Sequence, residues 1–492
     1  MKIDLIWLRE DLRIQDHPGF FEVDKSGNKK IVIYFLTEST WVDDHHRSDR
    51  QIDLIFARLN FLKKNLHVAG VPLLIFKADR FEKIPMLLAS FCEQNERAGL
   101  KISHIFLTKN YGVDEQKRDQ ACFDLFKNKK LDIQFKIFED YCLIPPDRIL
   151  KPDGRPYQVF TAYKNQWLRL FFLGQNGFFE RYESSLRAQP EVKKIILIPE
   201  ITSGEIYLKN QAEKIKLDLN FPIEDNLIDQ RLDNFVQEKI KNYHVARDFP
   251  SESGTSLLST YLALGMISPR KIIHKIQDVY KNKLDQAGVM TYLNELIWRD
   301  FYQMILKHFP RVSRHCAFKT STESIPWRKD KRLFKAWCDG VTGFPIVDAA
   351  MRCLNQTGFL HNRLRMVVAM FLSKILLIDW RWGERYFMQN LIDGELGANN
   401  GGWQWCASTG TDAVPYFRIF NPTLQSEKFD PEGVFIAKYI PELRSLIFSK
   451  DKKQIKKIHA PNASLRLKLG YPSPIVDYKA QRALALEWFS AV

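Results

Sequence analysis

The chain has 492 residues, 45% of them hydrophobic and 27% charged, and its 73 Lys and Arg against 58 Asp and Glu leave a net charge of +15. This is the composition of a soluble globular protein with core material for two or three domains, and it excludes a disordered or low-complexity chain. Seven scattered cysteines without a CxxC pair argue against a disulfide scaffold or a zinc site, and MKIDLIWLRED, broken by Arg9, Glu10 and Asp11, argues against a signal peptide or membrane span; a reducing, cytoplasmic setting is expected.

In chain order, IDLIWL, KIVIYFL, VPLLIF, SHIFL and DIQFKIF are short apolar runs predicted as buried parallel strands, with helical segments such as QIDLIFARLNFLKKNL between them. The alternation predicts an α/β domain with a Rossmann-like parallel sheet over residues 1–140. It lacks GxGxxG and GxxxxGK[ST], so the common phosphate loops are missing. Residues 141–220 are Pro-richer and aperiodic, which predicts a connector wrapping over the surface, with VFTAYKNQWLRLFF helical inside it. Residues 221–492 read as an all-α domain. In SPRKIIHKIQDVY, Ser268 is the expected N-cap and Pro269 the first helical residue, with Ile272, Ile273, Ile276, Val279 and Tyr280 on one face.

Basic residues exceed acidic ones by 4 over residues 1–200 and by 11 over 201–492, so a polyanionic partner is expected at the second part, although a basic surface also serves solubility. Seven of the eleven tryptophans (Trp298, Trp327, Trp337, Trp380, Trp382, Trp403, Trp405) fall between residues 298 and 405. In the helix NELIWRDFYQMILKHF, Glu295, Trp298, Arg299 and Tyr302 form one stripe and Ile297, Phe301, Met304 and Ile305 another. A plain Glu295–Arg299 surface pair explains that stripe as well as a binding face does. HNRLRMVVAMFL places Asn362, Arg365, Met366 and Ala369 together, and the two mixed faces suit the walls of a pocket for a large flat ligand. GTSLLS (254–259) reads either as an anion cradle or as a simple helix cap. NNGGWQWCASTGTDAVPYFRIFNP has no clear period and reads as an aromatic, amide-rich loop, with Gly401 and Gly402 letting the backbone pass close to a large ligand. No Ser-His-Asp spacing, HExxH or GxSxG occurs, which leaves catalysis to a cofactor.

GTSLLSTYLALGMISPR, NELIWRDFY, GFPIVDAAMRCLNQTGFLHNRLRM, IDWRWGERYF and DGELGANNGGWQWCASTGTDAVPYFRIFNP, preceded by IWLREDLRIQDHPG and VFTAYKNQWL, together closely resemble the photolyase and cryptochrome family, specifically the class I cyclobutane pyrimidine dimer (CPD) photolyases. The resemblance implies an α/β antenna domain and an all-α domain that binds FAD. By similarity, Tyr243, Thr255, Ser256, Leu257, Leu258 and Ser259 hold the phosphates and adenine side. Tyr292, Glu295, Arg299, Asn362, Arg365, Asp393, Gly394, Glu395 and Asn399 surround the flavin and the substrate pocket, with Asn399 facing the flavin N5. Tyr292 stands where relatives have Trp, and Glu395 where they more usually have Asp.

The implied substrate is UV-damaged DNA, from which the dimer is flipped into the pocket. Glu295, Trp298, Met366 and Trp405 meet the dimer, and Arg247, Arg299, Asn362 and Arg363 complete the substrate and DNA contacts. Trp403, Trp380 and Trp327 match the family's electron path to the flavin. Asp114 and Glu115 occupy the place of an Asn-Glu pair that contacts methenyltetrahydrofolate in folate-type members; a folate antenna is expected, with a deazaflavin as the alternative. No metal, no membrane and no obligate protein partner is implied, and a monomer is expected. The rival within the family is a cryptochrome photoreceptor without repair. A (6-4) photolyase has His where this chain has Asn362 and Met366.

Overall fold

The five apolar runs form strands β1 (Lys2–Trp7), β2 (Lys29–Leu36), β3 (Leu73–Lys77), β4 (Lys101–Thr108) and β5 (Gln134–Phe138), in a computed structural model that describes residues 2–173, 181–182, 186–192, 194–215, 220–281, 283–449 and 452–491. All pair in parallel in the order β3-β2-β1-β4-β5. The central runs are continuously apolar because both faces are covered: Ile3, Leu5 and Trp7 enter one core cluster, Ile6 and Leu8 another. β5 departs from the expected burial. It is the edge strand, with Gln134, Lys136 and Ile137 exposed, and a lysine there discourages further pairing.

The other edge is closed by the segment expected to be a surface connector. Helix Pro199–Ala212 lies on β3 so closely that a Cβ on Gly204 would overlap the Ile75 carbonyl, and Glu205 Oε1 accepts the Ile75 N–H at 3.1 Å. A second helix, Phe160–Leu173, buries Trp167, whose indole N–H donates to Asp300 at 3.0 Å. The connector's expected end adjoins residues 216–219, outside the described residues.

Helices account for most of the chain beyond residue 221, and one apolar cluster runs from the sheet into them. Buried charges tie the two parts together. Arg58 donates to the carbonyls of Leu12 (2.8 Å) and Ile223 (2.6 Å) and pairs with Asp225 (2.5 Å), while Asp140 pairs with both Arg13 and Arg270. Ions this deep persist only when paired and hydrogen-bonded. Ser268 caps its helix by accepting from Lys271 N–H, with Pro269 in the first turn as expected, but Val279 is 42% exposed and leaves the apolar face. Among the described residues no helix is long and apolar enough to cross a membrane.

The largest departure concerns the aromatic stretch. Leu396–Cys406 is an α-helix, not a loop. Its polar residues satisfy one another at helical spacing: Gln404 Nε2 donates to Asn400 Oδ1 at 2.8 Å, and Glu395 caps the helix by accepting from Gly397 and Ala398 N–H, both at 2.8 Å. The glycine expectation splits accordingly. A Cβ on Gly401 would overlap the Tyr302 ring, so this glycine serves helix–helix approach, whereas one on Gly402 would meet nothing within 4 Å. In cofactor-free protein Gly401→Ala therefore lowers stability by about 1–3 kcal/mol through overpacking, while Gly402→Ala gains from helix propensity. Thermal melts of the two variants check this; equal melting temperatures would contradict the Tyr302 contact.

Candidate functional site

Helix Ala287–His308 runs beside the Leu396–Cys406 helix and carries the first mixed face. The Glu295–Arg299 pair does not form. Glu295 instead accepts from Arg247 Nη1 at 2.5 Å, and burial raises its carboxyl above the ordinary range while Arg247 opposes the shift. Arg299 turns to the Tyr141 carbonyl and lies over that ring at 4.1 Å. Trp298 is half-buried, stacked on Phe160 at 3.5 Å with the planes 4° apart. The Thr-Gly-Thr-Asp motif explains that wall: Asp412 accepts the Phe160 N–H at 3.0 Å, and the Thr411 hydroxyl donates to the Gln158 carbonyl at 2.6 Å.

The second face lies on helix Asn362–Met370. Asn362 is exposed and Met366 half-buried. Arg363 pairs with Asp248 at 2.7 Å, and Arg365 reaches Asp393 at 2.9 and 2.8 Å, leaving the shared face for this buried partner. His361 caps the helix through Nδ1, which accepts from Arg363 N–H at 3.2 Å. Burial, with Arg363, Arg365 and Arg247 nearby, pushes this imidazole from 6.5 down to about 4, against the pull of Asp248. Folded protein thus stays neutral there while unfolded chain takes up a proton, so stability present above pH 6.5 is lost as pH falls toward 4, by roughly 3 kcal/mol in all. His361→Asn keeps a capping side chain without the titration. Its melting temperature should drop less between pH 7 and pH 5 than that of the natural chain; equal drops would refute the assignment.

On the third helix Asn399 is buried and its Nδ2 donates to the Glu384 carbonyl at 2.9 Å; the open space at Gly402 lies on the same side, and Trp405 is half-buried one turn on. Cys406 contacts the Met366 carbonyl at 3.8 Å, so this helix joins the second face as well. Trp403, one turn on from Asn399, faces the same helix that carries Glu384. Its ring rests where a Cβ on Gly383 would overlap it, in the helix Trp380–Asn390 that begins with Trp380. Trp327 is tied to the same region by the Arg328 N–H, which donates to the Leu377 carbonyl at 2.8 Å. The three indole N–H groups are buried without partners, unlike Trp337, which donates to Val368 at 3.1 Å. Packing alone holds them.

Around the turn before the short helix Ser259–Ala263, Thr255, Ser256 and Leu257 line a cavity of about 460 Å³ with Arg231 and Lys239. The Tyr292 hydroxyl lies 3.2 Å from Ser256 Oγ, and Tyr243 packs edge-on against Tyr292 at 5.2 Å. Leu257 holds a left-handed φ of 54°, a conformation disfavoured for leucine. Leu258 is core, leaving only its backbone to serve a ligand, and Ser259 is exposed. Hydroxyls, turn amides and two cations suit the pyrophosphate of a dinucleotide. Arg231 and Lys239 carried no motif; only the fold brings them to the turn.

A cavity of about 760 Å³ lies between sheet and helices. Glu10 and Asn110, just beyond β1 and β4, are on its wall. There the strand order reverses, the usual place for a ligand in an open parallel sheet. Asp114 and Glu115 open the helix Val113–Asn128 on this wall and face His45, at 3.6 and 4.0 Å. Hydrogen bonding to Asp114 raises His45 against its burial and lowers the Asp114 carboxyl. Gly394 and Glu395, expected around the flavin, line this cavity too, and Glu395 is engaged as a helix cap and with Gln303 at 2.8 Å. The sequence reading missed Tyr416 and Phe417, 40% and 61% exposed beside Arg418, although PYFR is itself an unusual exposed motif.

Residues 4–177 match the family model for DNA photolyase, and residues 292–491 the FAD binding domain of DNA photolyase. Over 495 residues the chain is 38% identical to the deoxyribodipyrimidine photo-lyase of Escherichia coli (strain K12), covering 100% of this chain and 99% of that one. Among solved structures, a class III photolyase from Agrobacterium tumefaciens superposes with a TM-score of 0.79 at 29% identity, covering 100% and 98% of the two chains. An archaeal photolyase from Sulfolobus tokodaii, solved with two FAD molecules, gives 0.77 at 27% identity and 100% coverage of both. Full-length identity of this order, on the same two-part architecture, places the assignment beyond fold likeness: the chain belongs to the photolyase/cryptochrome family, in its cyclobutane pyrimidine dimer photolyase branch.

Proposed function

We propose that this protein repairs cyclobutane pyrimidine dimers in UV-damaged DNA with light, as a monomer. What supports the reading is that the helix carrying Asn399 and Trp405 packs on both the helix of Glu295 and Trp298 and that of Met366, in a chain that matches photo-lyases over its whole length. When bound, FAD would supply the light-driven electron transfer that splits the dimer with no net oxidation.

The protein's own residues bind and orient. Trp298, fixed by Phe160, and Trp405 wall the flipped dimer; Met366 fills the space between them, and the Glu295 carboxylate accepts a hydrogen bond from a base edge. Arg247 and Arg363, half-buried and paired with Glu295 and Asp248, reach the flanking phosphates, which makes affinity fall steeply with salt. With its Nδ2 donating to Glu384, Asn399 turns its carbonyl oxygen toward the flavin side. Thr255 and Ser256 with Arg231 and Lys239 hold the phosphates. The interdomain cavity takes the antenna, methenyltetrahydrofolate being the fit for paired acidic groups beside His45 and a deazaflavin the competing occupant.

The decisive test is incubation of purified, reduced protein with UV-irradiated oligothymidylate in the dark and under blue light. Intact thymine returns only in the light. Equal dark and light yields would end the repair reading and leave a cryptochrome-type photoreceptor.

A further inference from the structure

The last turn of the helix Tyr478–Ser490 brings a further indole, Trp488, to the neighbourhood of Trp327. Both rings pack against the same small cluster of Ile325, Leu377, Ala485 and Phe489. Two contacts join them through their chain neighbours. The Phe489 ring meets that of Trp327 edge-on at 5.8 Å, and the Arg328 guanidinium lies 5.9 Å from the centre of the Trp488 ring. Their polar edges differ. Both rings are half-buried, but the Trp327 N–H is shut in without an acceptor, as are those of Trp380 and Trp403, whereas the Trp488 N–H is not.

We propose that Trp488 is the terminal donor of the electron path, the indole on which the positive charge left by photoreduction comes to rest and loses its proton. The inference rests on the reading of Trp403, Trp380 and Trp327 as that path. Light drives one electron from Trp403 to the bound, oxidised flavin; electrons from Trp380, Trp327 and Trp488 refill the series in turn, and the deficit ends on Trp488. An indole that has lost an electron is a far stronger acid at its N–H than indole itself. Trp403, Trp380 and Trp327 have no acceptor for that proton and can only take the electron back. Trp488 releases it to water and becomes a neutral radical. Arg328 favours the release, because its charge attracts the face of the neutral ring and repels the oxidised one. Proton loss makes the charge separation last, since its reversal needs the proton as well as the electron. A thiol in solution then gives Trp488 a hydrogen atom and becomes a thiyl radical, so the flavin has gained one electron, water one proton, and the protein is unchanged.

The test is flash photolysis of the flavin-loaded, oxidised protein as the natural chain and as Trp488→Phe, which keeps an aromatic ring against the cluster. The natural chain should form the neutral indolyl radical; Trp488→Phe should lose it and show only the fast decay of indole radical cations. Trp488→Tyr should restore a lasting state with a phenoxyl spectrum in place of the indolyl one, which a packing role would not produce. In cofactor-free protein N-bromosuccinimide should oxidise Trp488 ahead of Trp327, Trp380 and Trp403, read by peptide mass spectrometry. A neutral indolyl radical retained in Trp488→Phe, no phenoxyl radical in Trp488→Tyr, or oxidation of Trp327 ahead of Trp488 overturns the proposal. Trp403→Phe separates the two levels. If it abolishes the radicals while Trp488→Phe changes none, the path stands and its terminus is not Trp488; if it changes nothing, the path reading itself fails and the proposal with it.

Discussion

Trp403→Phe is expected to abolish photoreduction of the bound flavin while leaving repair by chemically reduced protein at the natural level. Trp403 is 2% exposed, packed edge-on against Phe387 at 4.9 Å and Trp337 at 6.0 Å, and seated against Gly383. Phenylalanine keeps most of that packing and removes the oxidisable indole, so the fold survives and the electron path does not. Its position explains the selectivity of the effect. Trp403 faces the Trp380 helix, whereas Trp405, two residues on, points away from it, so the change leaves the proposed dimer wall in place. Loss of photoreduction by at least about tenfold, measured by flavin bleaching under blue light with an external electron donor, is the expected result. Unchanged bleaching would show that Trp403, Trp380 and Trp327 are packing residues only.

Glu295→Ala is expected to lower dimer affinity and repair yield together, each by about tenfold or more, the range for losing a hydrogen bond to a charged group in a partly desolvated site. The side chain keeps 30% of its surface and is held by Arg247, itself 24% exposed. Removing the carboxylate leaves Arg247 able to reach solvent, so melting temperature should change little. Binding of UV-irradiated oligothymidylate and thymine recovery are the measurements; a fall in affinity alone, with yield per bound dimer intact, would restrict Glu295 to docking. Glu295→Gln tells charge from geometry, since an amide of nearly the same shape retains an oxygen acceptor without the charge.

Local rules carried the first part of the reading because they depend only on neighbouring residues. Apolar runs spaced by helical segments specify parallel strands buried on two faces, and all five were found; the edge position of β5 was not legible, since strand order depends on how crossovers close. Ser268 and Pro269 marked a helix start that the structure reproduces. In the candidate site, helical spacing singled out the stretches that carry Glu295 and Asn362 and composition the one that carries Asn399, while the acidic pair at Asp114 and Glu115 came only from the resemblance to the family.

What the chain could not reveal alone was which charge meets which. Spacing of four offered Arg299 to Glu295, yet Arg247 takes the carboxylate and Arg299 goes to Tyr141. Arg365 likewise leaves its helix face for Asp393. Ion pairs within a helix are worth only a few tenths of a kcal/mol, so any better-placed tertiary partner overrides them. The helix at Leu396–Cys406 was hidden for a related reason. Two glycines and two asparagines disfavour a helix locally, and only the approach of Tyr302 to Gly401, the hydrogen bonds from Asn399 and Asn400 to Glu384, and the burial of Trp403 make it the better state. The sequence by itself determined the fold class, the family and the three stretches of the proposed site. The tertiary structure alone decided the partners of the charges, the helical state of the central stretch and the cavity between the two parts, because each depends on contacts between residues far apart in the chain.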